Sequence, residues 1–376
     1  MTAAGWRADI EEFPSVKVVL FANNVTKNAA IRNRVLRFAE MLRADGYTCI
    51  VCLPNGSGLY RRCIEKGGKG AKVFYHLVTF LRRCTQVPRV LDADAVFIHR
   101  DLFPYGPPFF ERIVHRLNPR VAFDIDDAVW ERPAYVESPF LSFQDFDWVW
   151  KMCRMCVQAV VGNNYLREHV APHIGTVTVI PTCIDMSIHT AKTYPEPSPD
   201  RPVVLGWTGL WTNLGYFEVI EDVLKALAQK HRIVLKVASN GTYRLDGVEV
   251  VNEEWEMARE VDYLREADIG LMPLTYSKRA MGKCAYKALA HMAVGTPCVI
   301  SPVGMNAEVI EDGVTGFLAD SPEEWHDKLE RLIVDPALRE RMGRAARQAV
   351  IDRYSHEANY PKFKQVIEST AAWRMP

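Results

Sequence analysis

Residues 269–316, IGLMPLTYSKRAMGKCAYKALAHMAVGTPCVISPVGMNAEVIEDGVTG, alternate short apolar runs with glycine turns and helical runs. The run 269–273 reads as a strand closed by Pro273. Gly282 and Lys283 stand just before a helical run, 284–294, in which Tyr286, Leu289, Ala290 and Ala293 share one face. Gly295 ends that run, 296–301 reads as a second strand, and Pro302-Val303-Gly304 turns into a further helix over 306–311. A chain that repeats strand, turn and helix builds a parallel sheet with crossing helices. The free N–H groups at a helix start favour an anion, and a nearby lysine adds a full charge. Lys278, Arg279, Lys283 and Lys287 gather at one such start, where cations are unfavourable unless an anion joins them. The expectation is a cradle for a phosphate or diphosphate. An ordinary tight turn with a solvated basic face is the competing reading.

At 376 residues the chain exceeds one usual core, so two domains are expected. The 46 basic and 46 acidic residues balance, which argues against a non-specific nucleic-acid binder. No apolar run approaches the roughly 18 residues of a spanning helix. The N-terminus lacks a basic head followed by an apolar stretch, so no secretory leader is expected and the cytoplasm is the default. Peripheral contact at the inner membrane face stays open. Nine cysteines, an odd count, argue against a disulfide framework. Cys49 and Cys52 have zinc-like spacing but lie in an expected strand, where residues three apart face opposite sides. Cys153 and Cys156 fall in an apolar run read as helical, and these thiols read as small buried hydrophobes.

The first half opens with a strand over 16–21, a helix over 29–44 and a strand over 47–53, one βαβ unit without a G-x-G-x-x-G turn. Nicotinamide and flavin sites are therefore not indicated. Asn23 and Asn24 follow the first strand at the end where open α/β sheets place ligands. They read equally as loop and helix-cap residues. Residues 73–81 fit a strand or a helix. A strand over 95–98 ends at His99-Arg100, and a strand over 120–123 ends at Asp124-Ile125-Asp126-Asp127. Three carboxylates in four residues repel unless a cation or proton stands between them. General base, sugar-hydroxyl binder and metal ligand are the functional readings, and a capped turn is the plain one. His99 and Arg100 are placed to face the same cleft. Further strands are expected over 158–162 and 177–180. The polar, proline-rich segment 189–201 reads as an interdomain linker.

The second half repeats the rhythm. Strands are expected over 203–207, 233–237 and 248–251, with helices over 216–228 and 257–266, and the tail reads as helices over 323–334, 337–354 and 357–369.

The segments GKCAYKALAHMAVGTPCVISPVGMNAEVIEDGVTGFLA, VLGWTG, FDIDDAVW and VIPTCID together resemble GT-B fold glycosyltransferases of the retaining, family-4-like kind. The resemblance is strongest over 203–319. It implies an α/β chain of two Rossmann-like, doubly wound domains facing across a cleft. The N-terminal, acceptor-binding domain would span 1–188, the linker 189–202 and the nucleotide-sugar domain 203–354. A C-terminal helix within 355–376 would cross back to the first domain.

The implied activity is transfer of a sugar from a nucleoside-diphosphate sugar to a hydroxyl acceptor (a glycan, a lipid-linked molecule or a small molecule), with retention of configuration. No metal or other cofactor is implied. Thr208 and Gly209 would lie beside the diphosphate, which Gly282, Lys283 and Cys284 would meet at the helix start, with Lys287 one turn on. Asp126, or Asp124, would sit near the transferred sugar. Asn23, Asn24, Arg32, His99 and Arg100 would face the acceptor. The family's pair of glutamates is missing. Gly282 and Ala290 stand in their places, with His291 as the substitute ribose contact. The basic pair usual after the second domain's first strand is also missing, and the loop offers Trp207, Trp211 and Asn213. Two alternatives follow: a non-catalytic nucleotide-sugar-binding partner, or an epimerase of nucleotide sugars on the same fold.

Overall fold

The computed structural model describes residues 16–132, 144–196, 198 and 200–374. The readings made for residues 1–15 lie outside them. Six strands form the first sheet: β1 Lys17–Phe21, β2 Thr48–Cys52, β3 Ala95–His99, β4 Val121–Ile125, β5 Gln158–Val161 and β6 Val177–Val179, in the order β2-β1-β3-β4-β5-β6. Six more form the second: β7 Val203–Gly209, β8 Ile233–Ser239, β9 Glu249–Glu254, β10 Ile269–Met272, β11 Cys298–Ile300 and β12 Gly316–Leu318, in the order β12-β11-β10-β7-β8-β9. Every pairing is parallel. Strands β3, β4 and β5 are buried throughout, as a parallel sheet covered by helices on both faces requires.

Each sheet has a point where the strand order reverses. In the first it lies between β1 and β3, and in the second between β7 and β10. Open α/β sheets form a ligand crevice there, outside the carboxyl ends of the strands.

The segment 29–44 is helical, with Ala29–Ile31 and Arg37–Ala44 joined by a π turn over Arg32–Leu36. The ambiguous stretch 73–81 belongs to the helix Lys69–Gln86, whose Tyr75, Thr79, Arg83 and Gln86 point inward at spacings of four, four and three. Two readings need correction. Cys156 lies beyond the helix Trp148–Cys153 rather than in it. The segment after β7 is a 3-10 run, Trp211–Val219, and the α-helix starts only at Glu221, because Gly215 weakens the earlier turns.

The two domains are packed together. Ala128 and Ile125 of the first share one apolar cluster with Ala280, Cys284 and Ala285 of the second. The segment after β6 lies against the second domain: the Lys192 N–H donates to the Val294 carbonyl (2.8 Å) and the Tyr194 hydroxyl to the Gly295 carbonyl (2.7 Å). The helix His356–Ala372 returns to the first sheet. There Phe363 stacks on Phe38 at 4.3 Å, and Gln158 donates to the Thr370 hydroxyl at 2.7 Å.

Candidate active site

The end of β4 at Ile125 separates the carboxylates. Asp124 is on the strand, facing the helix 29–44, whereas Asp126 lies one residue past its end. Arg34 reaches Asp124 with two bonds, Nε to Oδ2 at 2.9 Å and Nη2 to Oδ1 at 2.5 Å, and donates Nη1 to the Ile180 carbonyl at 2.9 Å. His99 Nδ1 lies 2.5 Å from the same Oδ2. Burial alone would raise the Asp124 pKa, but Arg34 and then His99 hold it below the usual carboxylate range. Asp124 is fully buried with both oxygens engaged. It is therefore a structural anchor, which corrects its expected place beside the sugar. His99 is equally sealed, with Nε2 left without a partner, so it does not face an acceptor.

Asp126 is different. Its Oδ1 accepts from Arg100 Nε at 2.5 Å, and Arg100 Nη2 lies 3.8 Å from Asp127 Oδ2. Burial, the largest single influence, would raise its pKa, but the charges of Arg100, His99 and Arg34 together outweigh it and hold the carboxyl below the usual range. Asp126 thus stays ionised. Arg100 holds a φ of 57°, and Ala285 a φ of 50°. These are the two left-handed non-glycine residues among those described, and both stand at the junction between the domains.

That junction is tight. The Cys284 thiol donates to the Asp126 carbonyl at 3.0 Å. A β-carbon on Gly162 would stand 2.1 Å from Cys284 Sγ, and one on Gly282 only 2.5 Å from the Ala128 nitrogen. Asn163 caps the helix Asn164–Val170 through its Oδ1, while its Nδ2 donates to the Met281 and Lys283 carbonyls at 3.3 and 3.0 Å. The Cys284 side chain is thereby committed to the first domain, and burial pushes its pKa up.

The opposite side of the same loop is cationic. Lys283 Nζ lies 5.7 Å from the Tyr216 ring, and Lys287 Nζ 4.1 Å from the Trp207 ring. Neither ammonium pairs with a carboxylate within salt-bridge distance among the described residues. Burial lowers the Lys283 pKa, with Asp127 opposing and Arg279 and Arg100 reinforcing. Burial, then Lys283, lowers that of Lys287 further. Lys287 lies in the first turn of the helix Tyr286–Val294 and reaches the end of β7, and Lys283, three residues before that helix, stands beside Tyr216 in the run after β7. A β-carbon on Gly209 would come 2.6 Å from Lys287 Nζ, so the glycine makes room for it. Thr208, Gly209, Lys283 and Lys287 therefore converge at the crevice between β7 and β10, with Trp211 and Tyr276 exposed on the loops that follow these strands.

The remaining residues do not join them. His291 is buried beneath the sheet, its ring 2.7 Å from where a Gly270 β-carbon would stand, and burial lowers its pKa to about 3. That position offers no surface to a ribose and corrects the expected contact. Arg32 is tied to Glu260 and to the Lys27 carbonyl, so it bridges the domains. Asn24 Oδ1 accepts from the Val25 N–H at 2.8 Å, and Asn23 Nδ2 is 3.5 Å from Asp101 Oδ1 at the switch point of the first sheet.

The fold has counterparts. Residues 221–349 match the family described as Glycosyl transferases group 1. Among curated relatives, a D-inositol 3-phosphate glycosyltransferase of Arthrobacter sp. (strain FB24) is 44% identical over 86 residues, 22% of this chain and 19% of that protein. One of Nocardiopsis dassonvillei is 27% identical over 209 residues, 48% of each chain. The chain thus spans between about a fifth and a half of the length of these relatives. Solved structures align over nearly the whole chain. A glycosyltransferase from Rickettsia africae ESF-5 has a TM-score of 0.68 at 13% identity, covering 96% of this chain and 100% of its own. Anabaena Alr3699/HepE, in complex with UDP and glucose, has a TM-score of 0.64 at 11% identity, covering 94% and 100%. The matched segment therefore sits in a two-domain GT-B fold, and the cationic crevice lies at the switch point of the second sheet, between β7 and β10.

Proposed function

We propose that the chain transfers a sugar from a nucleoside-diphosphate sugar to a hydroxyl acceptor, with retention of configuration. The observation that carries this reading is the pair Lys283 and Lys287, two desolvated ammonium groups without a carboxylate partner within salt-bridge distance among the described residues, Lys287 against Gly209 and Lys283 beside Tyr216. A diphosphate supplies the charge they lack. Their fixed positions stabilise the negative charge that develops on the leaving group, without a metal ion. The leaving phosphate takes the acceptor proton on the same face, so no enzyme base is obligatory. Asp126, held ionised by Arg100, opposes the positive charge that develops on the sugar ring. Asn23 stands at the crevice of the first sheet, the side assigned to the acceptor. Curated relatives named as inositol-phosphate glycosyltransferases and the HepE complex with UDP and glucose support the donor class.

The test is incubation of the protein with nucleotide sugars and a panel of hydroxyl acceptors, followed by mass spectrometry. Release of nucleoside diphosphate with a mass-shifted acceptor is expected. One observation favours a second reading, a binder that does not turn over. Gly282 and Ala290 replace the family's glutamates, and Gly282 is packed on Ala128 with no space for a side chain. Saturable nucleotide binding with neither transfer nor hydrolysis identifies that case.

A further inference from the structure

The helix Lys69–Gln86 presents an outer face unlike that of an ordinary surface helix. Val73, Phe74, Leu77 and Leu81 are 56, 53, 55 and 58% exposed, and their spacing makes one continuous stripe. Phe80 extends it, with its ring 5.0 Å from Phe110, and Phe109 on the neighbouring helix Phe109–Leu117 is exposed beside it. The rim is basic. Arg61, Arg62, Lys66, Lys69, Lys72 and Arg82 are all exposed. Glu65, the single acidic residue between positions 61 and 86, is paired with Lys27 at 2.8 Å.

The inner side fixes where this face stands. Arg83 donates Nη2 to the Ala22 carbonyl, Nη1 to that of Cys52 and Nε to that of Leu102, at 2.5, 3.0 and 3.0 Å. These carbonyls follow or end β1, β2 and β3. The helix is therefore clamped over the carboxyl end of the first sheet, the end that carries Asn23 and Arg100.

We infer that this helix docks the chain on an anionic lipid surface. An apolar stripe rimmed by lysine and arginine is the makeup of a helix that lies in the plane of a membrane, with its apolar side chains among the acyl chains and its cations at the headgroups. No helix among the described residues is long and apolar enough to cross a bilayer, so the contact is peripheral. A second copy of the chain is a poor occupant, because a two-fold contact would bring two basic rims together. The inference is independent of sugar transfer. It sets the crevice of the first domain close to the headgroup layer.

Co-sedimentation with vesicles of phosphatidylcholine, with and without phosphatidylglycerol, tests it on the full chain. The expected result is partition onto the phosphatidylglycerol vesicles, weakened by salt, with much less onto phosphatidylcholine alone. The pair Phe74→Ser and Leu77→Ser lowers partition by at least about tenfold. The pair Lys69→Gln and Lys72→Gln lowers it by about fivefold for each lysine. Both pairs alter exposed side chains, so thermal unfolding matching the parent shows that the fold is kept. Absence of partition, or partition that neither pair changes, overturns the inference. So does a dimer in sedimentation velocity that Phe74→Ser and Leu77→Ser dissolve, since the stripe then belongs to a second copy.

Discussion

A β-carbon on Gly209 would stand 2.6 Å from the Nζ of Lys287, and this close approach ties the end of β7 to the helix Tyr286–Val294. Gly209→Ala displaces the ammonium group and presses equally on the Trp207 ring, which a β-carbon would approach to 2.6 Å, so thermal unfolding is followed beside the titration. It is expected to weaken inorganic pyrophosphate binding by roughly tenfold, the loss of one charge-assisted contact of about 1.5 kcal/mol. Calorimetric titration measures this, and pyrophosphate makes the result independent of the nucleotide base.

The depressed lysine pKa values carry a pH signature. Burial lowers both Lys283 and Lys287, and Lys283 lowers Lys287 further. A bound anion favours their charged forms and raises both values, so binding takes up protons. Pyrophosphate affinity should therefore fall as pH rises through the depressed free-state values. Heats measured in buffers of different ionisation enthalpy should report net proton uptake. Release of protons on binding would contradict the arrangement.

Asp124 and Asp126 should separate cleanly under mutation. Asp124→Asn leaves Arg34 buried against a neutral partner, at an expected cost of about 3–5 kcal/mol in urea unfolding. Asp126→Asn keeps the hydrogen-bonding shape beside Arg100 and should cost far less stability. Its effect belongs in kcat for sugar transfer, where a loss on the order of 100-fold is expected.

The Glu111 carboxyl gives a second pH effect, on stability. Burial raises its pKa to about 7, against the opposing N–H of Leu102, which donates to Oε1 at 2.6 Å. The folded value lies above the unfolded one, so its stabilisation is complete below the ordinary glutamate range and is lost as pH rises through 7. The loss reaches roughly 3 kcal/mol by pH 8. Glu111→Gln keeps an acceptor for Leu102 and removes the titration. Its melting temperature should exceed the parent's at pH 8 and converge with it at pH 4.

The sequence made the sheets legible because β-rich runs, glycine turns and helical spacing are local signals. Lys283 and Lys287 were conspicuous within one window, but the expected group of four cations at one helix start divides, because Lys278 and Arg279 belong to a separate helix, Lys278–Met281, and Arg279 donates to the Glu131 carbonyl. Arg34 had a readable sign: a charge on the face formed by Ile31, Val35 and Phe38 must find a buried partner. Alternation along β4 does not distinguish Asp124 from Asp126, since residues two apart share a face; the end of the strand at Ile125 does. The helical hydrophobic face also includes residue 290, yet nothing local reveals that His291 next to it lies under Gly206 and Gly270. The contacts of Gly282 with Ala128, of Asn163 with the Lys283 carbonyl and of Arg32 with Glu260 join residues more than a hundred positions apart. They depend on how two separately wound sheets meet, which leaves no trace in local periodicity.

The most direct measurement is calorimetric titration of the intact protein with UDP, GDP, ADP and dTDP in the absence of divalent metal, repeated on Lys283→Ala and Lys287→Gln. The expected result is saturable one-site binding of one diphosphate, weakened about tenfold or more by each substitution. No binding of any of the four, or binding that both variants leave unchanged, would contradict the diphosphate cradle.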